Sequence, residues 1–595
     1  MRVPHMRKVG IVLLLFLIIF IATISISRLY QQGARQDKLI ESDDLHLKWI
    51  TRGFIAGALG WGWIESVGDF DHDGSSEILR VAPLNFFNDT SIIQVFDGAT
   101  GEILSEYTYD YPLYEGSMNI GDVDGDGQEE LVWAQGFFII VMNPKNLSDY
   151  TVISIYPYSR LLRGEFLLYD INNDGALDAL LQVGKKDEGF YNNMAFDIKN
   201  SKVLWATMYQ EKYREYYWQD YSVHIYVYGN GLLDDFDGNG VLDFATISDS
   251  LVLCATNVKT GEIVFNISLL DHFPFYDELN TTPSDHLGGM IGYSIYAYMV
   301  SGDFDKDSVS EIIFTFPRRL EGREGAPPSY YRGVVFCIDN GSISWNVSVI
   351  DYYDGPWEAG IVDFGCDFDY DFAMYLDGQL NRLLIFDPVD GSVEFNESFS
   401  SYDEEFSAID FNGDNCVDFF AAPLVFDGKS GEIIADLGDI MREYRPIDVL
   451  FFDSDMDGDL EMLVDNLTHL ACFDIPNAGW RIFWDRFGRI IGFPGSGCVA
   501  SLRFIDGDGD FLSYYSEGVA GSNPSAWDSD GDGLSDSFEV LHGLNPVSWD
   551  SDFDFISDSL DPMPLNPLVP TYGLIIALVT VSSVLIYRQK SRQKS

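Results

Sequence analysis

A chain of 595 residues with 94 acidic and only 36 basic side chains carries a formal charge of -58, which excludes a nucleic-acid-binding surface, since no basic stripe exists to meet phosphates. Its apolar content of 46%, with 43 Phe, 33 Tyr and 12 Trp, excludes a largely disordered chain, and short apolar runs broken by Asp, Asn and Gly read as many short strands. So much like charge opposes compaction unless something neutralises it, and bound divalent cations would.

Residues 1–29 place Arg2, Arg7 and Lys8 ahead of an uncharged stretch from Gly10 to Ser27, which reads as a signal peptide or an N-terminal membrane anchor. Residues 30–45 are polar and read as a linker, and strand-like sequence begins near Leu45 to Trp49. Beyond it an acidic loop recurs, with oxygen side chains at positions one, three, five and nine and a turn residue at position six, followed by an apolar run. Such spacing suits a hard cation that takes six to eight oxygens, and a glycine at position six permits the sharp turn. A single such loop equally fits a solvated hairpin turn. Repetition in the same context is what favours metal.

The first copy is Asp69, Asp71, Asp73 and Glu77, the second Asp122, Asp124, Asp126 and Glu130, and the third Asp170, Asn172, Asp174 and Asp178. The fourth is Asp235, Asp237, Asn239 and Asp243, and the fifth, with Ser308 in the glycine place, is Asp303, Asp305, Asp307 and Glu311. A sixth, with Asp363, Asp367 and Asp371, lacks the third-position ligand and the glycine, so weak or no metal binding is expected there. The seventh is Asp410, Asn412, Asp414 and Asp418, and the eighth Asp453, Asp455, Asp457 and Glu461. Starts are 43 to 68 residues apart, and between them lies a second turn of the form Asp-x-x-x-Gly, as at Asp97 to Gly101, Asp387 to Gly391 and Asp427 to Gly431. Two hairpins per period give four strands, and repeated four-stranded units predict a β-propeller with eight blades, or alternatively seven.

After residue 504 the acidic loops recur every 22 residues, too close for blades: Asp506, Asp508 and Asp510, then Asp528, Asp530, Asp532, Asp536 and Glu539, then Asp550, Asp552, Asp554 and Asp558. Glu539 falls at the twelfth position, where a bidentate carboxylate completes an EF-hand-type loop, and Ser537 to His542 reads as a short helix. Residues 563–569 are a Pro-rich spacer, 570–587 are uncharged and long enough to span a bilayer, and the basic tail 588–595 predicts a cytoplasmic end with the rest of the chain outside. Sequons at Asn88, Asn146, Asn266, Asn280, Asn340, Asn346, Asn396 and Asn466 agree with export and a glycoprotein. The six cysteines, Cys254, Cys337, Cys366, Cys416, Cys472 and Cys498, have no zinc or redox spacing. They read mainly as buried thiols, with one or two disulfides left open.

The acidic loop followed by an apolar strand resembles the FG-GAP repeats of the integrin alpha-subunit propeller and the related VCBS repeats of microbial surface proteins, over residues 46–504. The segment 505–562 resembles thrombospondin type 3 repeats. The first resemblance implies calcium at the loops on one face of an all-β propeller, and the second a calcium-binding stalk. No nucleophile elbow, phosphate loop or histidine metal spacing occurs. The expectation is therefore a non-enzymatic, membrane-anchored, calcium-binding ectodomain for adhesion or recognition of an extracellular protein or glycan. The alternative is a calcium-dependent polysaccharide-active or quinoprotein-like propeller enzyme.

Overall fold

The computed structural model describes, with gaps, residues 40–484 and 522–564; residues 1–39, 485–521 and 565–595 lie outside the described residues. Its strands fall into eight sheets arranged as the blades of a β-propeller. The blades occupy residues 63–109, 118–154, 158–210, 232–268, 293–351, 355–399 and 406–436, and the eighth comprises 448–474 together with 46–52. Eight acidic repeats thus correspond to eight blades, which decides the count against seven. Among the described residues no helix is long and apolar enough to cross a membrane; the apolar segments 1–29 and 570–587 lie outside them.

Each blade is an antiparallel sheet whose second and third strands are buried on both faces. Leu131, Val132, Trp133 and Ala134 are all fully buried, because neighbouring blades cover both sides of the sheet. Such strands therefore read as continuous apolar runs, where a half-buried strand would alternate. The fourth strands lie at the rim and alternate toward solvent, as in Ile103–Tyr109.

The eighth blade is composite. Its three C-terminal strands, Asp448–Phe452, Glu461–Asp465 and His469–Asp474, are completed by His46–Arg52, which pairs antiparallel with His469–Asp474. The sequence suggests a loose second turn near Phe473, but that strand ends at Asp474 and its rim partner comes from the other end of the propeller. This pairing closes the ring. A fully buried ion pair reinforces it: Arg80 of the first blade donates from Nε and Nη2 to both oxygens of Asp465 of the eighth, each at 2.6 Å. Breaking such a pair by removing one partner costs about 3–5 kcal/mol.

Other strands join blades outside the repeat. Val223–Tyr228 runs parallel to the first strand of the fifth blade, and Ile482–Trp484 pairs with the first strand of the seventh. Both lie on the inner, axial edge of their sheets. No turn or period announces them in the sequence.

Successive blades are latched through the glycine turns between third and fourth strands. In most fourth strands one residue bulges out, and the residue after it is Trp49, Trp205, Phe265, Trp345 or Phe395. Each of these rings packs on the turn glycine of the next blade: Gly101, Gly261, Gly341, Gly391 and Gly431 respectively. The indole N–H groups donate to carbonyls in the same turns, Trp49 to Gly98 at 2.7 Å, Trp205 to Val258 at 2.6 Å and Trp345 to Pro388 at 2.8 Å. The glycine is required twice over, since Gly391 has φ of 73° and a Cβ there would meet the Trp345 ring at 2.6 Å.

Gly136, with φ of 52° and open space around it, separates these two effects. Gly136→Ala should cost about 1–2 kcal/mol from backbone strain alone. Gly391→Ala should cost about 1–3 kcal/mol more, because the indole must move. Denaturant unfolding of both variants measures the difference, and equal losses would remove any energetic role for the latch.

Candidate metal centres

The acidic loops all join the first and second strands of a blade, so in the closed ring they lie on one face. The turns between third and fourth strands share that face: Gly98 N–H donates to Ser76 O at 2.7 Å and Val258 N–H to Leu242 O at 3.0 Å, tying turn to loop within a blade. Loops of adjacent blades are also joined, by Leu177 N–H to Asp122 O and Ser310 N–H to Asp235 O, both at 2.9 Å.

Within a loop, the ninth residue begins the second strand and closes the turn. One of its oxygens accepts the backbone N–H of the second residue: Val123 to Glu130 at 3.1 Å, Ile171 to Asp178 at 3.1 Å, Phe236 to Asp243 at 3.2 Å and Phe304 to Glu311 at 2.8 Å. Phe364 to Asp371, Phe411 to Asp418 and Ser454 to Glu461 repeat the bond at 2.9, 3.0 and 2.6 Å. The first residue accepts N–H groups from the loop's far side, as from Gly240 to Asp235 at 2.6 Å and Ser308 to Asp303 at 2.9 Å. The fifth accepts from the seventh, as in Gln128 to Asp126 and Val309 to Asp307, both 2.8 Å.

Two positions are left-handed in the third, fourth and fifth loops. Gly175, Gly240 and Ser308 at position six have φ of 80°, 78° and 75°. Position four is left-handed as well, at Gly125, Asn173, Gly238, Lys306 and Gly413, with φ from 58° to 79°. Sequence reasoning singled out position six alone, although Gly or Asn at position four in four of these five loops is a signal that could have revealed it.

The first, third and ninth side chains converge. Asp122, Asp124 and Glu130 place three carboxylate oxygens within 4.8 Å of one another, as do Asp235, Asp237 and Asp243, and Asp303, Asp305 and Glu311. Asp126 and Asp307, expected as fifth-position ligands, are not members of these triads. Asp243 Oδ1, Asp303 Oδ1 and Glu311 Oε1 are buried and accept no hydrogen bond, which is costly for an anion unless a cation faces it. Several acidic clusters could therefore hold a metal ion, and an all-oxygen donor set fits a hard divalent cation.

The remaining loops differ. In the third, Asn172 Nδ2 donates to Asp178 Oδ1 at 3.4 Å, so the expected ligands contact each other, with Asp170 and Asp174 holding loop N–H groups. In the seventh, Asn412 Oδ1 accepts from Asp414 N–H, Asp410 caps Gly413, and the second oxygen of Asp418 accepts Gly428 N–H at 3.1 Å. The buried Glu77 begins the second strand of the first blade, while Asp69, Asp71 and Asp73 of its loop lie outside the described residues. So do Asp363 and Asp367 of the sixth loop and Asp455 and Asp457 of the eighth.

Beyond the propeller the same device recurs. Asp528, Asp530 and Asp532 converge within 4.8 Å, and Ser529 N–H donates to Asp536 at 2.8 Å across the same seven-residue offset. Asp536–Leu541 is helical, as expected within a residue. It carries Glu539, which is fully buried with neither carboxylate oxygen hydrogen-bonded. The next copy keeps the offset, with Ser551 N–H to Asp558 at 3.0 Å and Asp550 buried beside it. Asp506, Asp508, Asp510, Asp552 and Asp554 lie outside the described residues. Of the cysteines, Cys416 is disulfide-bonded and Cys254, Cys337 and Cys472 are buried thiols.

Fold and loops together define the class of protein as an eight-bladed β-propeller with acidic loops arrayed on one face. No family model and no curated protein matches the chain. Solved structures do. The crystal structure of the V. cholerae biofilm matrix protein Bap1 is 12% identical, covering 74% of this chain and 92% of that one, with a TM-score of 0.33. The rhamnogalacturonan lyase YesW is 14% identical over 76% of this chain and 77% of its own, with a TM-score of 0.42. The C-terminal WD40 domain of Sif2 is 9% identical over 74% and 100%, with a TM-score of 0.36. At these identities the likeness is one of fold alone.

Burial, reinforced by neighbouring carboxylates, raises the ninth-position acids, Glu130 and Asp243 to about 7 and Glu311 to about 8. For Asp418, burial again comes first and raises it to about 8. In the metal-free state the folded protein therefore holds protons that the unfolded chain has released. Its stability should fall as pH rises from about 4, the ordinary carboxylate value, toward about 8. Thermal melts in chelator across that range measure this, and a melting temperature that climbs with pH would refute the burial of these acids.

Proposed function

We propose that the chain is a calcium-stabilised extracellular propeller, held at a cell membrane by its apolar terminal segments, that serves adhesion or recognition of a protein or glycan and has no catalytic activity of its own. The observation that carries this reading is the triad repeated in the second, fourth and fifth loops, which in the fourth and fifth includes buried, unpaired carboxylate oxygens, Asp243 Oδ1, Asp303 Oδ1 and Glu311 Oε1. With the resemblance to FG-GAP and VCBS repeats it supports calcium as the ion. The convergence of Asp528, Asp530 and Asp532 near the buried Glu539 supports a stalk of thrombospondin type 3 character.

Asp122, Asp124 and Glu130, with their counterparts in the fourth and fifth blades, would hold the ion. When bound, calcium supplies charge neutralisation and a rigid crosslink. The ninth residue keeps one oxygen on the loop backbone and presents the other to the centre, and the first residue orders the left-handed turn. None of these groups is spare for acid–base chemistry. The axial edges of the fifth and seventh blades are also covered by added strands.

The sequons favour an extracellular location. Asn146, Asn266, Asn340, Asn346 and Asn396 are exposed. Asn266, Asn346 and Asn396 each follow the latch aromatic of their blade, at the rim of blades four to six. Asn88 and Asn280 lie outside the described residues.

Because the ion binds the folded state, a calcium concentration about 100-fold above Kd should add about 2.7 kcal/mol per site. Chelation of the purified protein should lower its melting temperature markedly, and Glu311→Gln should reduce the calcium-dependent increment by about one site's share. Calorimetric melts with and without calcium measure both, and superimposable curves would defeat the proposal.

A further inference from the structure

In the eighth blade the ninth-position acid already has a cation. Glu461 Oε2 closes the loop by accepting Ser454 N–H at 2.6 Å, as its counterparts do. Its other oxygen, Oε1, takes Lys48 Nζ at 2.8 Å. The same oxygen of Glu311 accepts nothing. The Glu461 side chain is 1% exposed and that of the lysine 23%, so the ammonium reaches a buried carboxylate from the rim.

The surroundings are adapted to that ammonium at two further places. Position two of five other loops buries an apolar side chain, Val123, Ile171, Phe236, Phe304 or Phe411. The eighth has Ser454, whose Oγ accepts Lys48 Nζ at 3.2 Å. An apolar side chain there would leave the ammonium with one fewer partner. Lys48 itself is the bulged residue of its strand, skipped between Leu47 and Trp49 in the pairing with Phe473 and Cys472. A bulge re-aims the side chain it displaces. The equivalent bulged residues, Leu104, Leu204, Val264, Ser344, Glu394 and Ile434, include no cation.

We infer that Lys48 is the resident cation of the eighth loop, standing where calcium binds in the second, fourth and fifth, so that the blade built from both ends of the propeller closes without metal. This rests on the calcium reading of the other loops. The lysine arrives on the closing strand His46–Arg52, and the acid it neutralises sits 413 residues away. Charge neutralisation and ring closure are therefore one event, and a chelator cannot reverse it.

The test compares matched first-position substitutions in the full chain, with calcium as the only probe. By equilibrium dialysis, Asp235→Asn should lower bound calcium by one ion per chain, and Asp453→Asn should leave it unchanged. A loss of one ion in both variants overturns the role of Lys48 while sustaining the calcium reading. No loss in either removes the calcium reading and the inference with it. Hydrogen exchange on the unsubstituted chain gives an answer that does not depend on variants folding. Chelation should deprotect the loops at 235–243 and 303–311 and leave 46–52 and 461–465 protected, and deprotection of 46–52 on chelation overturns the inference.

Discussion

The structure depends on how a buried carboxylate is balanced at the start of the second strand of each blade. That strand is covered on both faces by neighbouring blades, so its first residue enters the interior whatever its charge. Glu311, Asp243 and Asp418 are there because one oxygen is needed to tie the loop's second N–H and fix the turn. Once that oxygen is committed, the other must find a partner or remain protonated. The loops answer in different ways: convergent carboxylates that could hold a cation in the second, fourth and fifth blades, backbone Gly428 N–H in the seventh, and Lys48 in the eighth.

The same economy explains why a charge of -58 is compatible with a folded chain. The acids are concentrated where backbone N–H groups converge. Asp235 alone accepts N–H groups from Asn239 and Gly240. Loop carboxylates thus act as a scaffold before any ion is considered, and a divalent cation would relieve the repulsion that remains. The segment after the propeller reuses this seven-residue clasp in Ser529 with Asp536 and Ser551 with Asp558.

Coupling between blades comes from directional contacts laid over apolar packing. A bulge near the start of a fourth strand turns the following aromatic onto the next blade's turn glycine, and the indole N–H fixes the approach where the ring is Trp. The closing strand takes part in the same scheme, since Trp49 docks on the first blade while Lys48 reaches back into the eighth. Arg80 and Asp465 complete the seam. Adjacent residues of one bulge thereby hold two blades at the point where the ring would otherwise open.

Local sequence determined the repeat unit, because strand, acidic loop and glycine turn each leave a signature within about ten residues. From that came eight blades, the placement of Asp122, Asp124 and Glu130 in one loop, and the helix carrying Glu539. Tertiary structure decided what depends on contacts between distant segments. Nothing near Lys48 in the chain says that it will meet Glu461, and nothing in Val223–Tyr228 says that it will line the fifth blade. The left-handed conformation of Lys306 was equally hidden, since its residue type does not announce it. The pattern fixed which oxygens could face a cation; only the closed ring determined that in one blade the cation belongs to the chain itself.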